Sequence, residues 1–291
     1  MRFPSGQAFR EQSHLAITLF GMSGVGKTTI ARRLQAQEWF HFSVDYRIGT
    51  RYMGEHIVDN FKREAMKVPF LRQLLRSDSI YIRSNITFEN LSPLSTYLGK
   101  PGDPTRGGIP YAEYGRRQAQ HRQAEVAALL DVPEFIERSH DIYGYPHFVC
   151  DTGGSLCEVV DPADPNDPVL TCLAQHSLLL YLEGTEAHLQ TLVERFRQQP
   201  KPMYYPPAFL ESTWAAYKAQ TGAQHDEEVD PDAFAVWGFE QLLRSRQPRY
   251  AAIAKQYGYT IRMDDLAQVA DNAAFLDLVA DTIDAQTDSA R

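Results

Sequence analysis

The stretch Leu15-Ala-Ile-Thr-Leu-Phe20-Gly21-Met-Ser-Gly-Val-Gly26-Lys27-Thr28-Thr29-Ile-Ala-Arg-Arg-Leu34 decides the fold. Its opening residues, 15–20, are almost wholly apolar and close on a glycine, the pattern of a short strand buried on both faces of a parallel sheet. From residue 27 the period changes, and Ile30, Ala31 and Leu34 share one side of a helix expected over 27–37. Between the two, Gly21-x-x-x-x-Gly26-Lys27-Thr28 has the spacing of a loop that cradles phosphate. Glycines let the backbone curl until successive N–H groups point at phosphate oxygens, and the helix N-terminus adds its dipole. Lys27 is expected to reach the β- and γ-phosphates and Thr28 to ligate Mg²⁺. Gly21, Ser23, Gly24, Val25, Gly26 and Thr29 are the other expected nucleotide contacts.

Outward from this loop, further buried strands are expected at 146–151 and 177–182, each followed by glycine and a helical pattern, and a last strand at 257–262 precedes a closing amphipathic helix at 273–285. Strands that alternate with helices imply parallel pairing through right-handed crossovers, hence an α/β doubly wound sheet of the P-loop type. Two segments exceed what a minimal core needs. One, about 60–145, is expected to cap the acceptor side and contains the Gly/Pro-rich LGKPGDPTRGGIP; the other, about 200–240, opens with QQPKPMYYPP and is expected to act as lid and helical extension. Residues 1–291 are read as one P-loop domain with these insertions.

Charge and composition narrow the function. A net charge of -8 disfavours a chain whose main work is to neutralise nucleic-acid phosphates, so nucleic acid is not an expected partner. No apolar run approaches the roughly 18 residues of a membrane span, so no membrane partner is expected either. The N-terminal MRFPSGQAFREQSH lacks the apolar region of a secretory signal, and the expected compartment is the cytoplasm. Cys150, Cys157 and Cys172 form neither an even framework nor a metal spacing, and are read as reduced thiols.

A phosphate loop needs a second carboxylate on the magnesium side, at the end of a neighbouring buried strand. Asp151, closing His-Phe-Val-Cys-Asp, is the best-placed candidate. Gly153 and Gly154 follow it and would free backbone N–H groups at the carboxyl edge of the sheet, where α/β folds bind ligands.

Four pieces in this order resemble shikimate kinase and related small-molecule kinases of the nucleoside-monophosphate kinase fold. They are the loop GMSGVGKTTIARRL, then Asp45-Tyr-Arg-Ile48, which is similar to the family's acceptor-binding D-x-x-I, then Arg122-Gln-Ala-Glu125, similar to its R-x-x-E, and Asp151-Thr-Gly-Gly154 in place of its glycine-rich acceptor loop. Arg246-Gln-Pro-Arg-Tyr250 resembles the family's R-x-P-L-Y segment, and Lys201-Pro202 stands where a lid arginine precedes proline. The resemblance implies ATP as donor, Asp45, Arg122, Gly153, Gly154 and Arg246 at the acceptor, and Lys27, Asp45, Arg122 and Arg246 as the catalytic set.

The physical logic of those roles holds without the family. A carboxylate such as Asp45 can position an acceptor hydroxyl in line with the γ-phosphorus and take its proton as the new bond forms. Arginines such as Arg122 and Arg246 offer planar forks suited to a carboxylate or phosphate on the acceptor. A cation at Lys201, Arg195 or Arg197 could cover the transferring group and exclude water.

Departures from the family matter as much. Ser43 stands where the family usually carries a second acid, Ser155 replaces a third glycine, and the separation of Asp45 from Arg122 is far longer than a compact shikimate kinase allows. The expected acceptor is therefore a small molecule other than shikimate. The insertion carries Tyr81, Arg83, Tyr97, Arg106, Tyr111, Tyr114, Arg116 and Arg117, which suit either a pocket for a larger anionic acceptor or the rim of a packed helical cap. An ATP- and Mg²⁺-dependent kinase is the leading reading. A nucleotide-operated ATPase switch acting on a protein, and a kinase of nucleotides or nucleic-acid ends, are the alternatives.

Overall fold

A computed structural model of the chain describes residues 1–288. Five strands, β1 Ala16–Phe20, β2 Trp39–Ser43, β3 His147–Asp151, β4 Leu178–Glu183 and β5 Gly258–Arg262, form one sheet in the order β2-β3-β1-β4-β5. Every neighbouring pair is parallel. The three central strands are buried along nearly their whole length, which is why they read as continuous apolar runs without alternation. The chain leaves β1 for β2 and β3 on one side, then returns to β4 and β5 on the other. The carboxyl end of β1 is thus the topological switch point, the place where such sheets bind ligands. The architecture is an α/β P-loop fold.

The chain divides into two compact units. The first, residues 1–44, 126–199 and 239–291, contains the sheet and the helices packed on it. Helix Lys27–Gln35 buries Ile30, Ala31 and Leu34, and helix Asn272–Asp288 buries Phe275, Val279, Ala280 and Ile283. The expected strands fall within a residue of the observed ones. β2 is an addition that the sequence reading lacked. Its Trp39, His41 and Phe42 are buried, and Trp39 lies against His147 of β3 at 4.8 Å between ring centroids.

The second unit comprises residues 45–125 and 200–238. It is helical, with a core of aromatic rings: Trp214 meets Phe234 edge-on at 4.7 Å and stacks on Tyr111 at 5.0 Å, while the Tyr114 hydroxyl donates to the Met203 carbonyl at 2.7 Å. Such ring pairs are worth about 0.5–1.5 kcal/mol each beyond the area they bury. The Gly/Pro-rich stretch is an ordered loop rather than a tether. Ile109 donates to the Lys100 carbonyl, Gly102 to that of Ile109, and Asp103 to that of Val229. Gly102 is required there, because a side chain at its φ of +133 would stand 2.4 Å from the Val229 carbonyl oxygen.

Candidate active site

The phosphate loop lies in the first unit, between β1 and helix Lys27–Gln35. Gly21, Gly24 and Gly26 take φ values of +142, +87 and +91, a backbone path that side chains resist. Space adds a second constraint. A Cβ on Gly21 would stand 2.7 Å from the Leu182 carbonyl oxygen, and one on Gly24 would stand 2.4 Å from Leu192. Among the described residues, the N–H groups of Ser23, Gly24 and Gly26 donate to no acceptor of the chain, whereas Val25 donates back to Met22. Unspent amides at the mouth of a helix form an anion cradle.

Lys27 is buried at the first position of that helix, and its Nζ donates to the carbonyls of Gly21 at 2.8 Å and Met22 at 2.9 Å. Thr28 Oγ1 donates to Asp151 Oδ2 at 2.6 Å. This bond is possible because β3 lies directly beside β1 with Leu19 in register with Asp151, so that the strand's last carboxylate faces the first helical turn. Thr152 secures the strand end, donating through both its N–H and its hydroxyl to the Leu19 carbonyl.

His41 of β2 stands beside the Thr28–Asp151 pair and is not among the candidates the sequence offers. It is buried, with Nε2 3.8 Å from Asp151 Oδ2. Its signal, a histidine between two aromatics in a five-residue strand, becomes visible only once β2 is known to pair with β3. Ser43 is in register with Asp151, so a hydroxyl stands at the carboxyl end of β2 beside the end of β3.

The glycine loop after Asp151 packs on the phosphate loop. A Cβ on Gly154 would stand 2.2 Å from Ser23 Oγ and 2.9 Å from Ser23 N. Residues 246–250 hold that loop from the helix Pro231–Tyr257. The Tyr250 hydroxyl donates to the Gly154 carbonyl, and Arg249 donates to the carbonyls of Cys157 at 2.7 Å and Val160 at 3.3 Å. Arg246 donates to Glu158 Oε2 at 2.6 Å, with both side chains 2% exposed. Burial opposes the Arg246 charge, but the attraction of Glu158 outweighs it and the guanidinium pKa is raised. Burial likewise pushes the Cys157 thiol up to about 12.

The remaining sequence candidates lie elsewhere in the chain. Asp45, in the first turn of the short helix Val44–Arg47, is half-buried and belongs to the second unit, as does Arg122, which is exposed on helix Tyr111–Leu130 while its neighbours His121 and Glu125 are buried. Arg195, Arg197 and Lys201 are exposed, and Arg197 lies 3.5 Å from Glu240. The tyrosines and arginines of the insertion do not share one surface. Tyr97, Tyr114 and Arg117 are core, with the Arg117 guanidinium 4.7 Å from the Tyr97 ring. Arg106 pairs with Asp230 and Arg116 with Glu113, both at 2.7 Å, while Tyr81 and Arg83 stand in solvent.

No family model matches the chain, and no curated protein does. Among solved structures, shikimate kinase from Bacteroides thetaiotaomicron is similar at 16% identity with a TM-score of 0.37, over 95% of this chain and 96% of its own. Shikimate kinase from Acinetobacter baumannii in complex with shikimate is similar at 16% identity with a TM-score of 0.35, over 98% of each chain. At that identity and superposition, the fold rests on the strand order and the phosphate loop.

Proposed function

We propose that the chain is a cytoplasmic ATP- and Mg²⁺-dependent phosphotransferase whose acceptor is a small molecule other than shikimate. The observation that carries this reading is the hydrogen bond from Thr28 to Asp151, which joins the first helical turn after the phosphate loop to the carboxylate at the end of the adjacent strand. A hydroxyl and a carboxylate at 2.6 Å, beside unspent loop amides, are the donor set that Mg·nucleotide sites use. Mg²⁺, when bound there, supplies charge neutralisation on the phosphates. The chain's own groups do the rest: Ser23, Gly24 and Gly26 offer N–H donors, Lys27 exchanges the loop carbonyls for phosphate oxygens, and Gly154 closes the loop from the β3 side.

In the same proposal Asp45, two residues beyond the end of β2, orients the acceptor hydroxyl and receives its proton. Arg122 is solvent-facing and could grip an anionic group. Arg246 is already engaged by Glu158, and its proposed part is to hold the glycine loop in place.

Release of ADP from Mg·ATP, measured with a panel of hydroxyl-bearing metabolites, tests this. One acceptor should accelerate release, Lys27→Ala and Asp151→Asn should abolish it, and Asp45→Ala should remove the acceleration while nucleotide still binds. Hydrolysis that ignores every acceptor and survives Asp45→Ala would instead favour an ATPase switch.

A further inference from the structure

The second unit carries a face that the proposed reaction does not use. Helix Pro69–Arg76 buries none of its eight side chains. At 100° per residue, Phe70, Leu71, Leu74 and Leu75 share one arc, and Arg72 and Arg76 lie on the opposite one. Val68, Phe70 and Tyr81 are 46%, 68% and 81% exposed, three of the seven most exposed large apolar side chains among the described residues. Beside the helix lies a hollow of about 460 Å³, lined by Met66, Leu75, Ile80 and Ile82 and by the charged Lys62, Arg83 and Asp78.

The charge of this segment is opposite to that of the chain. Residues 62–83 hold six cations against Glu64 and Asp78, a net +4 in a chain of net -8. Lys62 and Lys67 have carboxylates at 3.1 and 2.6 Å. Among the described residues Arg63, Arg72, Arg76 and Arg83 have none; Arg72 donates to the Met66 carbonyl, and Arg83 lies over the Tyr81 ring at 5.8 Å. Exposed aliphatic and aromatic groups beside uncompensated cations call for an occupant that is apolar below and anionic above.

We propose that the face made by residues 66–83 rests on an anionic lipid surface, with Val68, Phe70 and Tyr81 entering the acyl boundary and Arg72 and Arg76 reaching up to phosphate. A two-turn helix lies on such a surface and does not cross it, and no helix among the described residues is long and apolar enough to cross a membrane. No membrane partner is expected from the sequence on the ground that no run is long enough to span, and a face that lies on a lipid surface departs from that expectation without needing such a run. A single-stranded nucleic acid fits less well, because a stacking platform interleaves rings with cations on one face. Here Arg83 over Tyr81 pairs one cation with a ring, but Arg72 and Arg76 lie on the arc opposite Phe70, and Val68, Leu74 and Leu75 offer nothing to a phosphate backbone.

Flotation of the full chain with vesicles decides the matter, using phosphatidylcholine alone and phosphatidylcholine with about one-third phosphatidylglycerol. The chain should float with the anionic vesicles only, and high salt should release it. Each cation near the surface is worth about fivefold, so Arg72→Ala with Arg76→Ala should weaken binding roughly 25-fold. Phe70→Asp should abolish it, and both variants should keep wild-type thermal stability and nucleotide affinity. Equal binding to neutral vesicles, no binding at low salt, or binding unchanged in both variants would overturn the proposal. So would salt-sensitive binding of an oligonucleotide, lost in the same variants, without vesicle binding.

Discussion

Gly154→Ala tests whether the glycine loop after β3 and the phosphate loop form one packed surface. The added methyl would meet Ser23 Oγ at 2.2 Å, Ser23 N at 2.9 Å and Ser23 Cβ at 3.2 Å. The hydroxyl can rotate away, but the backbone nitrogen has to recede by about half an ångström to reach ordinary contact at 3.4 Å. Neither side gives easily. Thr152 ties one end of the glycine loop to the Leu19 carbonyl, and Tyr250 ties Gly154 itself. Overpacking of this kind costs about 1–3 kcal/mol. Ser23 carries one of the unspent amides, so its displacement should also weaken Mg·nucleotide binding by about 1.4 kcal/mol, which is roughly tenfold in Kd. Calorimetric titration with Mg·ADP and urea unfolding read the two effects separately. Gly107→Ala is the control: at φ +83, with nothing within 4 Å of its Cβ, it adds backbone strain but no clash, and it should leave nucleotide affinity unchanged. A Gly154→Ala protein with wild-type stability and a Kd within about twofold of wild type would refute the packing argument.

Three further outcomes are expected. Arg246→Lys and Glu158→Gln should each destabilise the chain by about 1–3 kcal/mol in urea, and the double substitution should cost less than the sum of the two, as a buried coupled pair requires. Native alkylation followed by mass spectrometry should modify half-buried Cys172 first; buried Cys157, whose thiol is pushed up to about 12, and buried Cys150, pushed up further, should react only on unfolding. Burial, reinforced by the charge of His14, lowers the His147 pKa, and its Nδ1 accepts the Leu15 N–H at 3.2 Å. The folded state thus favours the neutral ring, so this stabilisation is present above the ordinary histidine pKa of about 6.5 and is lost as pH falls through the lowered value. Unfolding midpoints of wild type and His147→Gln should converge on acidification, and a constant gap across that range would count against the assignment.

What the sequence made legible is what local backbone stereochemistry demands. Three glycines at fixed offsets can be read because only glycine tolerates those φ values, with Leu182 and Leu192 closing the space at Gly21 and Gly24, and the central strands can be read because burial on both faces leaves no choice but apolar residues. β2 escaped notice for the converse reason. No glycine marks the end of helix Lys27–Gln35, since Glu38 itself takes the left-handed turn at φ +66, and the strand breaks its apolar run with His41. The same logic divides the site. A motif shows which residue types stand at which spacing, but not which charges are already neutralised. Arg246 reads as a fork for an anionic acceptor until Glu158, 88 residues away in sequence, is found on it. Arg122 and Glu125 read as a unit until one proves exposed and the other buried on the same helix. Helix Pro69–Arg76 shows the limit from the other side. Its two arcs are plain in the sequence, and the pattern of a core helix and that of a surface-seeking one are identical there. The difference lies in whether the rest of the unit covers the apolar arc, and around Phe70 it does not.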